Sequence, residues 1–358
     1  MVYCSKVGDY MKDALDHKCP SCNAVLNFNP EGQNWVCEYC KKSYNLDDLN
    51  SYIESTGKQL NETINSSDDL DTYSCPNCGA EVIADPNVST TSCIYCKNTT
   101  ILKSKLQGEF SPKYIIPFKK TKKDAIKAFK NIRKGRLLTP SEFNNSKNIK
   151  EMSGVYIPFW LYDYDAKGLI EADCKKITTW RSGEYKYTKT DTYLVTRGGD
   201  MSFNKIPVDG SKKFADNIMN SIEPFKYEDL KTFNYSYLSG FLSEKYDISK
   251  GEAEVIAQNR VKTSFINQMK KDMSDYDEIE SIRHSINLNN KDNSYVLLPV
   301  WMLNIKYKNK IYTFAMNGQT GKMVGNIPID KGKAILIWVM LFLLTFTISF
   351  ALSYFKVI

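Results

Sequence analysis

The pattern of apolar and polar positions divides the 358-residue chain into three parts. Residues 334–355 form a run of 22 residues without a charge, bounded by Lys333 and Lys356. As a helix this run is about 33 Å long, which is enough to cross the hydrocarbon core of a bilayer. A mixed pattern of strand and helix periods occupies the middle of the chain, and paired cysteines occupy its beginning. The C-terminal run therefore predicts a transmembrane helix over 334–355.

The middle part, 107–330, predicts an α+β domain with a mixed, mostly antiparallel sheet and helices packed on it. An Asn317-Gly318 pair marks the turn of a hairpin over 310–323. Three related segments, YIIPF, YIPFW and LLPVW, place a proline after an apolar run, as the beginnings of strands do. Alternation with the two-residue period of a strand is found in 161–167, 184–196 and 301–308.

Helical spacing of apolar residues is found between these strands. Thr121 is suited to cap a helix whose apolar face contains Ala125 and Phe129. The other predicted helices lie over 46–52, 211–222 and 249–273. Arg197-Gly198-Gly199-Asp200 is interpreted as a turn, because adjacent glycines punctuate regular structure.

Eight of the ten cysteines form two tandem quartets with the same internal spacing. A CxxC pair places two sulfurs on one tight turn, and two such turns surround a metal ion tetrahedrally. Asn23 and Gly79 follow the first pair of each quartet and suit the positive φ of such turns. The two predicted Zn²⁺ sites consist of Cys19, Cys22, Cys37 and Cys40, and of Cys75, Cys78, Cys93 and Cys96.

Disulfide pairing is the alternative for these cysteines, but residues 1–18 lack the apolar core of a secretory signal. Reduced thiolates holding zinc in the cytoplasm are therefore expected. Four cysteines leave no open coordination position, so both Zn²⁺ ions are interpreted as structural. Cys4 and Cys174 stand outside both quartets and are interpreted as ordinary thiols. The predicted domains are zinc ribbon 1 over 1–54, a flexible linker over 55–72, zinc ribbon 2 over 73–106, the α+β domain over 107–330 and the transmembrane helix over 334–355.

Charge is divided unevenly along the chain. The net charge is +7, yet residues 1–100 carry seven lysines against fourteen acidic residues. Lysines before the apolar run, together with the reduced cysteines, predict a single-pass protein of the cell membrane with its N-terminal domains in the cytoplasm. Residues 119–136 contain nine basic residues and one acid. A solvated helix face, contact with the anionic inner leaflet, and contact with nucleic acid all fit that segment.

The series of motifs resembles a known family. The cysteine quartets are followed by IIPF, by GVYIPFWLYDYDAKG, by FNYSYLSGFLSEKYD and by LLPVWMLNIKYKNKIYTFAMNGQTGKMVGNIP. This series is similar to the bacterial zinc-ribbon membrane proteins of the YdjG type, associated with phage-shock-like envelope stress. The resemblance implies a membrane-bound adaptor that recruits PspA-like and SPFH-type proteins.

Three classes of function are weighed. An adaptor agrees with the acidic N-terminal part, which would attract basic protein surfaces. Nucleic-acid binding is the alternative, since Trp35, Tyr39 and Tyr95 are candidates for base stacking, but an acidic field repels phosphate. No enzyme is expected: His17 and His284 are the only histidines, the phosphate-binding motif GxxxxGK[ST] is missing, and Asp163 and Asp165 share a strand face without any catalytic need.

Overall fold

The computed structural model describes residues 18–55, 71–74, 81–84, 88–92, 99–101 and 110–354. The α-helices in these residues are α1 Leu46–Ser55, α2 Lys122–Arg133, α3 Ser146–Lys150, α4 Asp216–Ile222, α5 Lys250–Lys271 and α6 Lys331–Tyr354. The strands are β1 Leu26–Asn29, β2 Asn34–Cys37, β3 Ser43–Tyr44, β4 Asp71–Ser74, β5 Glu81–Ala84, β6 Val88–Ser92, β7 Thr99–Ile101, β8 Tyr114–Ile115, β9 Ser153–Ser182, β10 Tyr185–Asp209, β11 Lys231–Thr232, β12 Leu242–Glu244, β13 Glu278–Tyr307, β14 Lys310–Asn317 and β15 Met323–Val324. The α+β class is confirmed.

The main sheet is mixed and mostly antiparallel, as predicted. β13 lies at its centre, antiparallel to β9 and β14 and parallel to β8. The three proline-containing segments of the sequence are neighbours in this sheet, because Leu297 lies opposite Pro158 on one side and Ile115 on the other. Their internal similarity therefore reflects a shared position in the core.

Pro158 and Pro299 do not begin their strands, so that prediction is wrong. Both lie inside β9 and β13. The carbonyl of Pro158 accepts a hydrogen bond from the N–H of Gly210, and the carbonyl of Pro299 accepts one from Gly318. Proline provides this acceptor while lacking only the donor, and the sheet tolerates it at these two positions.

Three strands are far longer than the sequence predicted. β9 and β13 have 30 residues each and β10 has 25. At a rise of about 3.3 Å per residue, a 30-residue strand is about 100 Å long. The predicted turn at Arg197–Asp200 is wrong, since these residues pair with β9 within the ladder. A Cβ atom at Gly198 would collide with the Leu169 side chain, so glycine serves close packing there.

One face of the long sheet is covered by α5. Ser249 caps this helix and forms a capping box with Glu252. The helix buries one residue per turn against β9 and β10; these residues are Ala253, Ala257, Val261, Phe265 and Met269. The predicted helix over 249–273 is thus confirmed, and so are the helix after Thr121, which has a capping box with Asp124, and the helix over 46–52.

The helix predicted over 211–222 is shorter, because α4 begins at Asp216. The Ser211 N–H donates to Asp209 Oδ1, and the Lys212 N–H donates to Asp247 Oδ1. These side-chain acceptors offer the backbone an alternative to the helix.

The last helix, α6, is long and apolar enough to span a membrane. None of its apolar window is buried against the rest of the protein. Its first turn is held to the α+β domain, since the Asp330 N–H donates to the Leu138 carbonyl and Lys333 Nζ donates to the Thr139 carbonyl. The Thr345 hydroxyl bonds the Phe342 carbonyl of its own helix.

Candidate metal centre

Two tight turns bring the first cysteine quartet together. In the first turn the Asn23 N–H donates to the Cys19 carbonyl, and in the second the Lys41 N–H donates to the Cys37 carbonyl. Asn23 and Lys41 have φ values of 59° and 62°, so each turn closes through a left-handed residue. The positive φ predicted for Asn23 is confirmed. Antiparallel pairing of β1 with β2 then places the two turns side by side.

The four sulfur atoms of Cys19, Cys22, Cys37 and Cys40 all lie within 4.8 Å of one another. The Cys19 and Cys40 sulfurs are 3.5 Å apart, and so are those of Cys22 and Cys37. Four sulfurs at Zn–S bonds of about 2.3 Å define a tetrahedron with edges of about 3.8 Å. The group therefore has the donor set and spacing of a closed tetrahedral site, and it could bind a metal ion.

Electrostatics within the quartet also favour a cation. Burial raises the pKa of the Cys19 thiol, but hydrogen bonds from Tyr44, Ser21 and Cys22 outweigh it and lower that pKa to about 6. The N–H of Ala24 lowers the pKa of Cys22, whereas burial and the other three sulfurs raise it to about 12. Thiolates this close repel one another, so all four ionise together only around a bound cation.

Tyr44 is a residue of this centre that the sequence did not reveal. Its hydroxyl lies 3.4 Å from the Cys19 sulfur and 2.7 Å from Ser21 Oγ, and Lys42 Nζ donates to the same Ser21 oxygen at 2.9 Å. Such partners orient the metal ligands. Tyr44 lies on β3, which pairs with β2, and only that strand pairing brings it beside Cys19.

Residues 18–55, which carry the first quartet and belong to the predicted zinc ribbon 1, pack on the α+β domain through aromatic residues. Trp35 is 1% exposed, and its ring centroid lies 5.2 Å from that of Tyr237. Trp35 Nε1 donates to the Ser236 carbonyl at 2.7 Å, and the Phe28 N–H donates to the Ser239 carbonyl at 3.1 Å. Trp35 is therefore a core residue and does not present a ring to nucleic-acid bases.

The other proposed stacking residues differ from Trp35. Tyr39 is 82% exposed, so its ring is accessible to solvent. Tyr95 and the second quartet, Cys75, Cys78, Cys93 and Cys96, lie outside the described residues, as do Cys4 and His17. The strands on either side of these cysteine pairs are described: β4 pairs with β5, and β6 with β7. β6 also pairs with β12, so this region joins the main sheet.

The other residues that the sequence analysis singled out lie in ordinary structural surroundings. Cys174 is buried and lies 4.0 Å from the Met273 sulfur. His284 is exposed on β13. Asp163 accepts hydrogen bonds from the backbone N–H and the Nζ of Lys205, both at 2.6 Å. Asp165 accepts from Lys291 and from Ser202 at 2.6 Å.

A second surface, which we call the distal hairpin, comprises residues 176–191 at the far end of β9 and β10. β13 last pairs with β9 at Lys175, and in the described part of the chain no third strand pairs with the hairpin. Trp180 lies opposite Tyr187, with ring centroids 5.6 Å apart and an interplanar angle of 13°. Trp180, Tyr185 and Tyr187 are 47%, 72% and 45% exposed.

The aromatic face of the distal hairpin continues the sheet face that α5 covers. Side chains alternate along β9, so Trp180 lies on the same face as buried Cys174 and Ala172. The helix ends at Lys271, before this face ends. The sequence predicts an alternating strand here, but it does not reveal that the apolar sheet face extends beyond the helix α5 that covers it.

The chain is similar to a protein of known sequence over most of its length. The chain is 35% identical over 319 residues, or 89% of its length, to the uncharacterized protein YdjG of Bacillus subtilis (strain 168), covering 92% of that protein. No family model and no solved structure matches. Identity at this level over nearly the whole of both chains shows that the protein belongs to the YdjG family.

Proposed function

We propose that the protein is a membrane-anchored adaptor, facing the cytoplasm, that recruits protein partners to the membrane during envelope stress. The resemblance described above implies that these partners are PspA-like and SPFH-type proteins. In this proposal α6 spans the cell membrane once, and the two cysteine quartets each hold one structural Zn²⁺. The protein has no catalytic role.

The observation that carries this proposal is the separation of two unlike surfaces along one long sheet. The span begins beside the Tyr307 end of β13, because the Tyr307 ring lies 6.1 Å from that of Phe143, and the carbonyls of Leu138 and Thr139, just before Phe143, accept hydrogen bonds from Asp330 and Lys333. The distal hairpin lies past the other end of the strand, at Glu278. Twenty-nine residue steps separate these ends, a path of about 95 Å at about 3.3 Å per step. A protein of this shape holds a surface far from its anchor.

The distal hairpin has the properties of a protein-binding surface. Exposed aromatic rings in a group are enriched at interfaces and contribute most of their binding energy. The hairpin carries Lys176, Arg181, Lys186 and Lys189 against Glu184 and Asp191. We expect the partner to present an apolar patch bordered by carboxylates, which matches this composition.

Replacing Trp180 and Tyr187 with alanine is expected to abolish partner capture. Both rings are half exposed and stack on each other, so their loss removes contact area without opening the core. The measurement is affinity purification of the full-length protein from crosslinked, gently solubilised membranes, read by mass spectrometry. We expect PspA-like or SPFH-type proteins to fall at least about tenfold, the effect of losing one strong interface residue.

The matched control is Leu194→Ala, which removes a 65% exposed residue from the opposite face of the same hairpin strands. Capture is expected to remain with this variant. Loss of the partner from the control, or its retention by the Trp180→Ala/Tyr187→Ala variant, would contradict the assignment of the hairpin. Nuclease-sensitive nucleic acid without enriched protein would contradict the adaptor itself.

A further inference from the structure

Exposed basic and apolar side chains from two separate segments lie near the start of the span. The loop after α2 contributes Lys134, Arg136 and Leu137, and the turn between β13 and β14 contributes Lys308, Lys310 and Ile311. We call these six residues the membrane-proximal face. Leu137 is 82% exposed and Ile311 is 70% exposed, so both side chains are largely free of the core.

Hydrogen bonds and charge interactions place both segments beside the first turn of α6. The Leu138 carbonyl accepts from the Asp330 N–H at 2.9 Å, and the Thr139 carbonyl accepts from Lys333 Nζ at 2.5 Å. The ring of Tyr307, next to Lys308, lies 6.1 Å from that of Phe143, in the segment that follows Thr139. The hydrogen bond that Lys308 Nζ donates to the Tyr307 hydroxyl raises the pKa of Lys308, and the nearby carboxylates of Asp330 and Glu142 raise it further. The face therefore lies where the chain enters the bilayer.

The charge of this region is strongly positive. Residues 133–137, 306–311 and 329–333 together contain eight lysines and arginines and one acid, Asp330. Basic residues held next to a span meet the negative surface potential of anionic lipids. Apolar side chains among them are suited to enter the boundary between headgroups and acyl chains. The positive charge of the face and its position beside the span therefore both indicate an anionic membrane surface as its binding partner.

We propose that the membrane-proximal face binds the anionic surface of the same bilayer that α6 spans, with lysines and arginines on lipid phosphates and with Leu137 and Ile311 inserted between headgroups. This contact fixes the orientation of the α+β domain, and with it the long sheet, relative to the membrane. It rests on the span lying in a bilayer, which is also part of the proposed function.

Hydrogen exchange of the full-length protein in lipid nanodiscs tests this inference. Two compositions are compared at low salt, phosphatidylcholine alone and phosphatidylcholine with about a third phosphatidylglycerol. We expect the amides of 134–137 and 308–311 to exchange at least about tenfold more slowly with the anionic lipid. The difference is expected to vanish at about 1 M salt, because screening shortens the Debye length to about 3 Å.

Two charge-reversal variants locate the effect. Lys308→Glu/Lys310→Glu is expected to abolish the lipid-dependent protection. Lys186→Glu/Lys189→Glu changes the net charge equally at the distal hairpin and is expected to preserve it. Equal exchange in both lipids, or equal loss in both variants, would overturn the inference while leaving the span in place. Failure to enter nanodiscs would overturn the span as well, and protection by added duplex DNA instead of anionic lipid would assign the face to nucleic acid.

Discussion

Replacing Cys19 with serine is expected to remove one bound Zn²⁺ per chain and to unfold the first ribbon. Its sulfur lies within 4.8 Å of three other cysteine sulfurs, and four ligands are needed for a closed site. Within residues 18–55 the strands have only two to four residues each. Zinc binding in comparable peptides contributes about 10–16 kcal/mol at neutral pH, so its loss exceeds what the remaining contacts provide.

Elemental analysis of the purified protein checks this expectation directly. Zinc per chain is measured for the unchanged protein and for Cys19→Ser, and for Cys174→Ser as a matched control. Cys174 is equally buried but lies outside the quartet, against Met273. We expect the control to keep its full zinc content. Unchanged zinc in Cys19→Ser would show that this quartet is not the metal centre.

Replacing Trp35 with alanine is expected to detach the first ribbon from the α+β domain without emptying its metal site. The indole fills a pocket between Phe28 and Tyr237 and donates a hydrogen bond to Ser236. Removing a buried aromatic ring of this kind costs about 3–5 kcal/mol. Because the sulfur atoms are held by the turns and not by Trp35, the zinc content is expected to remain.

Limited proteolysis followed by mass spectrometry measures the detachment. Cleavage within 18–55 is expected to be at least about tenfold faster in Trp35→Ala than in the unchanged protein. Tyr39→Ala is the matched control, since Tyr39 is in the same ribbon but 82% exposed. Equal cleavage in the two variants would mean that Trp35 does not hold the ribbon to the domain.

The sequence predicts the grouping of the first four cysteines because that grouping is local. Cys19 and Cys22 share one turn, as do Cys37 and Cys40, and a short antiparallel pairing brings the turns together. The position of the ribbon on the domain is not local. Trp35 donates a hydrogen bond to the Ser236 carbonyl, 201 positions away in the chain. Nothing in the spacing of aromatic residues reveals that partner.

The lengths of β9, β10 and β13 could not be predicted from the sequence either. Much of β10 is exposed on both faces, so it lacks the strict alternation that indicates a half-buried strand. Pairing with β9 over almost its whole length stabilises it instead. Gly198 and Gly199 look like a turn in isolation, but they permit close packing inside this ladder. Tertiary pairing here overrides the local signal.

In the proposed function, the span lies at one end of the molecule and the distal hairpin lies at the other. The two are joined by three strands and by the helix α5 that packs on them. Sheet and helix together form a stiff connection, because each strand is bonded along its length to a neighbour. We therefore expect a partner bound at the hairpin to be held at a fixed distance from the membrane.

Fractionation of a captured partner in cells tests the adaptor role most directly. Cells carry the full-length chain, a chain lacking residues 334–358, or no chain, and membranes are washed at high salt to remove charge-dependent contacts. In cells with the full-length chain, we expect the partner in the membrane fraction. In cells with the shortened chain, we expect both the partner and the chain in the soluble fraction. A partner whose distribution is the same in all three strains would contradict recruitment by this protein.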